Sequence, residues 1–219
     1  MLKNTNLNFR EFMSELRMKL PPGIRRKIKK RRLLKGTYLV HAGEVSSAVW
    51  YFKSGIAHVF FQKGEIKITQ DFIFADDLFC VYPGLFMNEP SSVSVQLLTD
   101  AKVLMVNLVG WDIRKEKNSV VHEIERVIVS RWFRMMEERS IMRFFTVTEQ
   151  YLFLHKRHPR LIKHIPSVFL ADYLGTSPET ISRVRAKVRD GCGVSDQAPF
   201  WYLFEKKAFK TGLDLKEFK

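Results

Sequence analysis

Cysteine is nearly absent from this chain: Cys80 and Cys192 are the only two in 219 residues. Two thiols cannot form a disulfide framework, a cysteine-rich zinc site or an iron–sulfur cluster. No apolar run approaches the roughly 18 residues of a transmembrane helix. The opening residues, MLKNTNLNFREFMSEL, hold no apolar stretch of signal-peptide type. The expectation is therefore a cytoplasmic protein with no membrane partner. Catalytic signatures are missing as well. There is no Ser/His/Asp or Cys/His spacing, no glycine-rich phosphate loop and no HExxH-type metal pair, so an enzyme is not expected. Acidic residues are scarce beside basic ones, 23 against 37, for a formal net charge of +14. This excess excludes a basic partner and leaves nucleic acid, an anionic surface or an acidic protein.

What is present suffices for a core: 46% of residues are hydrophobic and 27% charged. The charge is uneven. Residues 1–35 carry net +10, residues 36–142 net −2 and residues 143–219 net +6. A near-neutral middle between basic ends points to separate tasks along the chain. Eight of the eleven residues from Arg25 to Lys35 are Lys or Arg. They form a solvated face or a phosphate-contacting patch.

Phe9, Phe12, Met13, Leu16 and Leu20 have helical spacing, and Pro21-Pro22-Gly23 is expected to end that helix. From Lys35 onwards the texture changes to short runs rich in β-branched and aromatic residues, punctuated by glycine. Examples are Val49–Phe52, Ile56–Phe61, Ile66–Thr69, Val93–Leu98 and Val103–Val106. This pattern predicts an antiparallel sandwich or jelly roll over residues 36–110. Lys63-Gly64 marks a hairpin tip. Residues 112–142 then read as one long helix. Val121, Ile124, Ile128, Met135 and Met142 supply its apolar stripe, and the predicted use of that stripe is homodimerisation. A hinge follows at 143–146. Thr146 and Glu149 match a capping box that opens a helix reaching His158.

The most informative segment is SVFLADYLGTSPETISRVRAKVRD, residues 167–190. Ser167 suits an N-cap, and Leu170, Ala171 and Leu174 give one apolar face. Gly175 permits a left-handed turn. Ser177-Pro178 restarts the helix as N-cap and first helical residue. Ile181, Val184 and Val188 form a stripe to bury. The spacing is that of a helix-turn-helix whose second helix offers Glu179, Ser182 and Arg183 to a major groove. Arg binds guanine O6 and N7 bidentately, and Glu accepts from cytosine N4. Thr180, Arg185 and Lys187 are expected at phosphates, with Ser167 and Ser177 at the helix starts beside the DNA.

Ser177-Pro178-Glu179-Thr180-Ile181-Ser182-Arg183 resembles the recognition-helix signature of the Crp/Fnr transcription regulators, most closely the Bacteroidetes-type members. The resemblance implies that Glu179 and Arg183 read bases. Pro178 replaces a second DNA-contacting arginine of better-known members. Lys35–Leu39, Gly43-Glu44 and Tyr51–Gly55 resemble the opening strands of the cyclic-nucleotide-binding β-roll. Leu97–Leu104 resembles its closing strands. The resemblance implies an α+β chain in four parts. These are an N-terminal helix and basic segment (1–35), an antiparallel β-roll sensor (36–110), a dimerisation helix (111–143) and a C-terminal helix-turn-helix, winged-helix-like domain (144–219). The implied partners are double-stranded DNA, a second copy of the chain and RNA polymerase.

The chain departs from the family where cyclic AMP would bind. Family members hold the ribose with a Gly-Glu pair and the cyclic phosphate with an Arg-Ser pair. Here those positions carry Cys80-Val81 and Ser91-Ser92, and the segment beginning at Phe79 holds no cation. A buried phosphate without a counter-charge is strongly disfavoured. The expectation is no cofactor and no cyclic AMP binding by the usual contacts. Phe79, Cys80, Val81, Ser91 and Ser92 remain the candidate effector pocket. Two variants stay open: a haem- or redox-responsive regulator using His41, His58, His122 or Cys80, and a sensor acting through protein contacts without DNA. The aromatic tail, residues 190–219, shows no clean wing hairpin.

Overall fold

A computed structural model describes residues 20, 22–109, 119–158 and 162–190. The expected helix at 8–20 and the tail beyond 190 lie almost wholly outside these residues.

Pro22-Gly23 starts a helix, α1, which spans Pro22–Lys27. Proline has no N–H to lose at a first helical position, so the same residue serves either role. The next segment differs more. Residues Lys29–Leu33 are a β-strand (β1), although the sheet was expected to begin at 36. Four consecutive basic residues carry no alternating pattern, so nothing local announces a strand there. Seven more strands follow: β2 (Tyr38–Val40), β3 (Ala48–Ser54), β4 (Ala57–Lys63), β5 (Ile66–Ile73), β6 (Leu78–Cys80), β7 (Ser94–Leu97) and β8 (Ala101–Asn107). They form two four-stranded sheets, ordered β1-β8-β3-β6 and β2-β7-β4-β5, with antiparallel pairing throughout. The β4–β5 hairpin turns at Lys63-Gly64 as its sequence indicates, with Lys63 paired to Ile66.

The sheets face each other across Val40, Phe52, Ala57, Val59, Val95, Leu97 and Val103. The outer face of the first sheet is covered separately. Val49 and Leu108 pack there with Ile24 of α1 and with Ile128 of the long helix α2, Ser119–Met142. No described helix is long and apolar enough to cross a membrane.

The chain then turns at 143–146 and enters α3, Val147–Arg157. The capping box is formed on both sides. The Glu149 amide donates to Thr146 Oγ1, and the Thr146 amide donates to Glu149 Oε2 at 2.8 Å. Helices α4 (Ser167–Leu174) and α5 (Pro178–Arg189) complete the described chain. They share one apolar cluster with β-domain residues Ile56, Phe72 and Phe74. The helical domain thus lies directly on the outer face of the second sheet. Phe169 of α4 meets His58 of β4 at 4.6 Å between ring centroids, and Tyr173 meets Phe72 of β5 at 5.2 Å. This explains the burial of Ala57, His58, Val59 and Phe60 in succession, where a strand with one wet face would alternate.

The dimerisation stripe needs correction. Ile128 and Met142 are buried within the same chain, Ile128 against the first sheet and Met142 against the helical domain. Met135 is half-buried, and the side chains of Val121 and Ile124 fall outside the described residues. Helical periodicity locates apolar positions but not which neighbour they meet, and here the chain itself covers two of them. Among the described residues, the exposed large apolar side chains of α2 are instead Trp132, Phe133 and Met136.

Candidate nucleic-acid interface

Helices α4 and α5 are joined by a turn that the sequence specifies residue by residue. Gly175 is left-handed, with φ 65° and ψ 42°. Its amide donates to Asp172 O, and the Thr176 amide donates to Ala171 O at 2.9 Å. These two bonds are the Schellman closure, which glycine enters without a Cβ penalty. Ser177 then caps α5, accepting from the Thr180 amide at 3.3 Å, and Pro178 occupies the first turn. Ile181 and Val184 are buried against α4, with Leu170 and Leu174 in the same cluster.

The opposite face of α5 is open. Glu179, Ser182, Arg183 and Lys187 are all exposed. The Glu179 carboxylate is held below its ordinary range by its own backbone amide, the Ser177 hydroxyl and the Arg183 charge. It is therefore ionised at neutral pH and acts as an acceptor. Arg183 lies one turn further along the same face. The arrangement presents one anionic acceptor and one five-donor fork on a single rigid helix, with Lys187 beyond them.

Other expected contacts are placed differently. Thr180 and Ser177 meet through their hydroxyls at 3.2 Å, and the Ser182 hydroxyl bonds back to Pro178 O at 3.0 Å. Ser167 does not cap α4; Pro166 stands at that position and Ser167 is the first helical residue. Its hydroxyl accepts from Arg185 Nη1 at 3.1 Å. Arg185 itself, expected at a phosphate, turns inward, and its Nη2 donates to the carbonyls of Ile162 and Ile165. A guanidinium supplies several donors in a fixed fork, so it can tie the carbonyls of Ile162 and Ile165, at and just after the short turn Ile162–His164, to α5. The residue type was compatible with both uses; only the neighbouring carbonyls decide between them.

The candidate effector residues do not converge. Phe79 and Val81 pack into the core between the sheets, whereas Cys80 faces Leu85 and Phe86 on the other side of β6. Alternation along a strand requires this split. Burial pushes the Cys80 thiol up to about 12, so it is a poor nucleophile. Ser91 is buried, donates to Val93 O at 2.6 Å and is fixed on both backbone sides by Gly43 and Glu44; Ser92 is exposed. The short helical turn Pro83–Met87 after β6 presses on the loop before β3. A Cβ on Gly84 would come within 2.6 Å of Ser46 O. Among the histidines, His41 stacks on Tyr38, His58 lies between Phe60 and Phe169, and His122 sits on α2 beside Glu125. They do not share a site.

Sequence reasoning missed a polar cluster at the junction of the two domains. Asp71 of β5, Glu138 and Arg139 of α2, and Tyr173 of α4 meet there. The Arg139 guanidinium lies 4.3 Å from the centre of the Tyr173 ring. Burial pushes the Asp71 carboxyl up to about 7, against the pull of the Phe72 amide and the Arg139 charge. Burial also raises the Tyr173 hydroxyl, with the Asp71 charge adding to it. No spacing pattern links residues so far apart in the chain.

No curated protein matches the chain by sequence. Residues 30–111 match the cyclic nucleotide-binding domain family. The whole architecture resembles several solved structures. FixK2 from Bradyrhizobium japonicum superposes with a TM-score of 0.59 at 17% identity, covering 75% of this chain and 85% of that one. A regulator assigned to the Crp/Fnr family from Eubacterium rectale gives 0.58 at 18% identity, covering 80% and 87%. A double variant of CooA from Carboxydothermus hydrogenoformans gives 0.57 at 16% identity, covering 86% and 87%. Residues 30–111 are thus similar to a cyclic nucleotide-binding domain, and the fold of the chain resembles that of these solved structures.

Proposed function

We propose that the chain is a sequence-specific, dimeric, DNA-binding transcription regulator of Crp/Fnr type and not an enzyme. The observation that supports this most directly is the exposed Glu179–Arg183 face on α5. That helix is fixed from behind by Ile181, Val184 and the inward fork of Arg185. In this reading two such helices enter successive major grooves about one helical turn apart. Trp132, Phe133 and Met136 supply the pairing face of α2. Met136 lies three and four residues beyond Phe133 and Trp132, and all three are exposed in the single chain. Such a protein works where the chromosome is, in the cytoplasm, with RNA polymerase as the downstream partner.

The sensor domain does not use the usual cyclic AMP contacts. The positions of the ribose- and phosphate-binding pairs hold two residues that pack on opposite sides of β6 and two serines, one of them fully engaged with the backbone. Calorimetric titration with cyclic AMP is expected to give no micromolar binding. The central experiment is selection of duplexes from a random pool by the full-length protein. Enrichment of a pseudo-palindromic sequence is expected. A pool that stays random overturns the reading.

A further inference from the structure

Aromatic rings join the helical domain to the sensor domain. Phe169 and Tyr173 stand one turn apart on α4 and meet His58 of β4 and Phe72 of β5. Phe74, just after β5, stacks on His158 at the end of α3 with 3.9 Å between ring centroids. Beside these rings lies the polar cluster of Asp71, Glu138, Arg139 and Tyr173, to which β5, α2 and α4 each contribute. Apolar contacts of this kind are weakened when an uncompensated charge is buried beside them.

Arg139 has two partners within reach in this cluster. Its guanidinium rests on the Tyr173 ring of α4, and its charge faces the Asp71 carboxyl of β5. Its Nη1 is buried and meets no hydrogen-bond acceptor among the described residues. A buried donor left unmet is costly, and a carboxylate would satisfy it better than a ring. Asp71, however, is faced by its own kind. The charged groups around it are Glu138 and Arg139 of α2 and Asp77 of the turn after β5, two carboxylates against one cation. Burial, helped by these two carboxylates, keeps a proton on Asp71 up to about pH 7. We propose that the cluster is a proton-operated latch between the domains. With a proton on Asp71, Arg139 stays on the Tyr173 ring and α4 stays on the sheet. When the proton leaves, the carboxylate draws Arg139 off Tyr173, an added negative charge stands in the junction, and α4 lifts from β5. Arg139 lies in the last turn of α2, so its displacement acts where the chain enters the helical domain. Docking is controlled in this way whether or not α5 reads DNA.

The test is hydroxyl-radical footprinting of the full-length protein between about pH 6.5 and 8.5, a range chosen around the Asp71 transition. Modification is read by mass spectrometry and normalised to a free phenylalanine standard. His58, which Gln96 and Lys67 face, is held down to about 4 and so acts on the acid side of this range. Modification of Phe72, Phe169 and Tyr173 is expected to rise at least about threefold across the range, and by no more than about tenfold per pH unit, the limit for one linked proton. Phe52, fully buried between the sheets, should stay protected throughout. In Asp71→Asn, or in Asp71→Ala should the first not fold, the junction rings should stay protected at every pH. Constant protection of these rings in the parent overturns the latch whatever the variants do. Equal exposure of Phe52 overturns it as well, since that is unfolding and not undocking. A pH-dependent exposure that survives in the variant overturns it by assigning the effect to another group, such as His158.

Discussion

Arg185 and Ser167 are eighteen residues apart in the chain, yet Arg185 Nη1 donates to Ser167 Oγ at 3.1 Å. The same guanidinium holds the carbonyls of Ile162 and Ile165. One side chain therefore fixes the start of α4, the turn before it and the body of α5. Arg185→Ala is expected to lower the unfolding free energy by about 2–3 kcal/mol, because three charge-assisted hydrogen bonds are lost. Arg185→Lys should recover little of this, since a point ammonium cannot replace the fork. Denaturant unfolding measures both. The salt slope of DNA binding should not change in Arg185→Gln; a slope about one unit shallower returns Arg185 to the phosphate role.

In the proposed complex Arg183 reads a base and Lys187 meets a phosphate. Arg183→Ala is expected to cost ~1–3 kcal/mol on the selected site and to relax discrimination at one base pair per half-site. Lys187→Ala should weaken all duplexes by similar factors and flatten the salt dependence by about one unit. Competition binding with single-base variants of the site separates the two patterns.

The pH dependence of stability has two opposed limbs. His58 is buried, which pushes it down from 6.5 to about 4; Gln96 raises it and the Lys67 charge lowers it further. A depressed histidine contributes stability that is present above 6.5 and lost as pH falls towards 4. Asp71, raised from 3.8 to about 7, does the opposite. Its contribution is present below 3.8 and lost as pH rises through 7. Each limb amounts to a few kcal/mol at most. Relative to the parent, Asp71→Asn should therefore gain stability as pH rises from 4 to 7, and His58→Leu should lose it over 4 to 6.5. Thermal melts across that range are the check. Parallel curves for parent and variants would remove both groups from the account.

Trp132, Phe133 and Met136 are the pairing face in the proposed dimer. Trp132 stacks on Tyr82 at 6.3 Å, so one edge of this face is braced by the loop after β6. Phe133→Glu, at a residue 63% exposed in the single chain, should leave the fold intact and shift the protein towards monomer. DNA affinity should fall with it, because linked half-sites are lost. Ile128→Glu should instead destabilise the chain itself. Sedimentation velocity and circular dichroism together distinguish these outcomes.

Much of this protein was legible in short stretches. The β-roll strands, the Thr146 capping box, the left-handed Gly175 and the Ser177-Pro178 restart are local devices. Each is fixed by the φ range or hydrogen-bonding capacity of a few adjacent residues. The face carrying Glu179 and Arg183 follows from helical period alone. What the sequence hid was contact between distant segments. It did not show that β1 joins the sheet, since pairing with β8 is a property of both strands. It placed Arg185 at DNA, because a guanidinium suits phosphate and carbonyl equally. It assigned Ile128 and Met142 to a partner, because an apolar stripe does not name what covers it.

The sequence by itself determined the elements, the turns between them and the chemistry displayed on α5, because backbone propensities and side-chain periods act over a few residues. Only the tertiary structure decided that α4 lies on the second sheet through Phe169, Tyr173, His58 and Phe72. Only there do Asp71 and Arg139 come together, and only there does Arg32 stand against Lys102. Burial and charge proximity depend on which surfaces meet, and that is settled by packing across the whole chain.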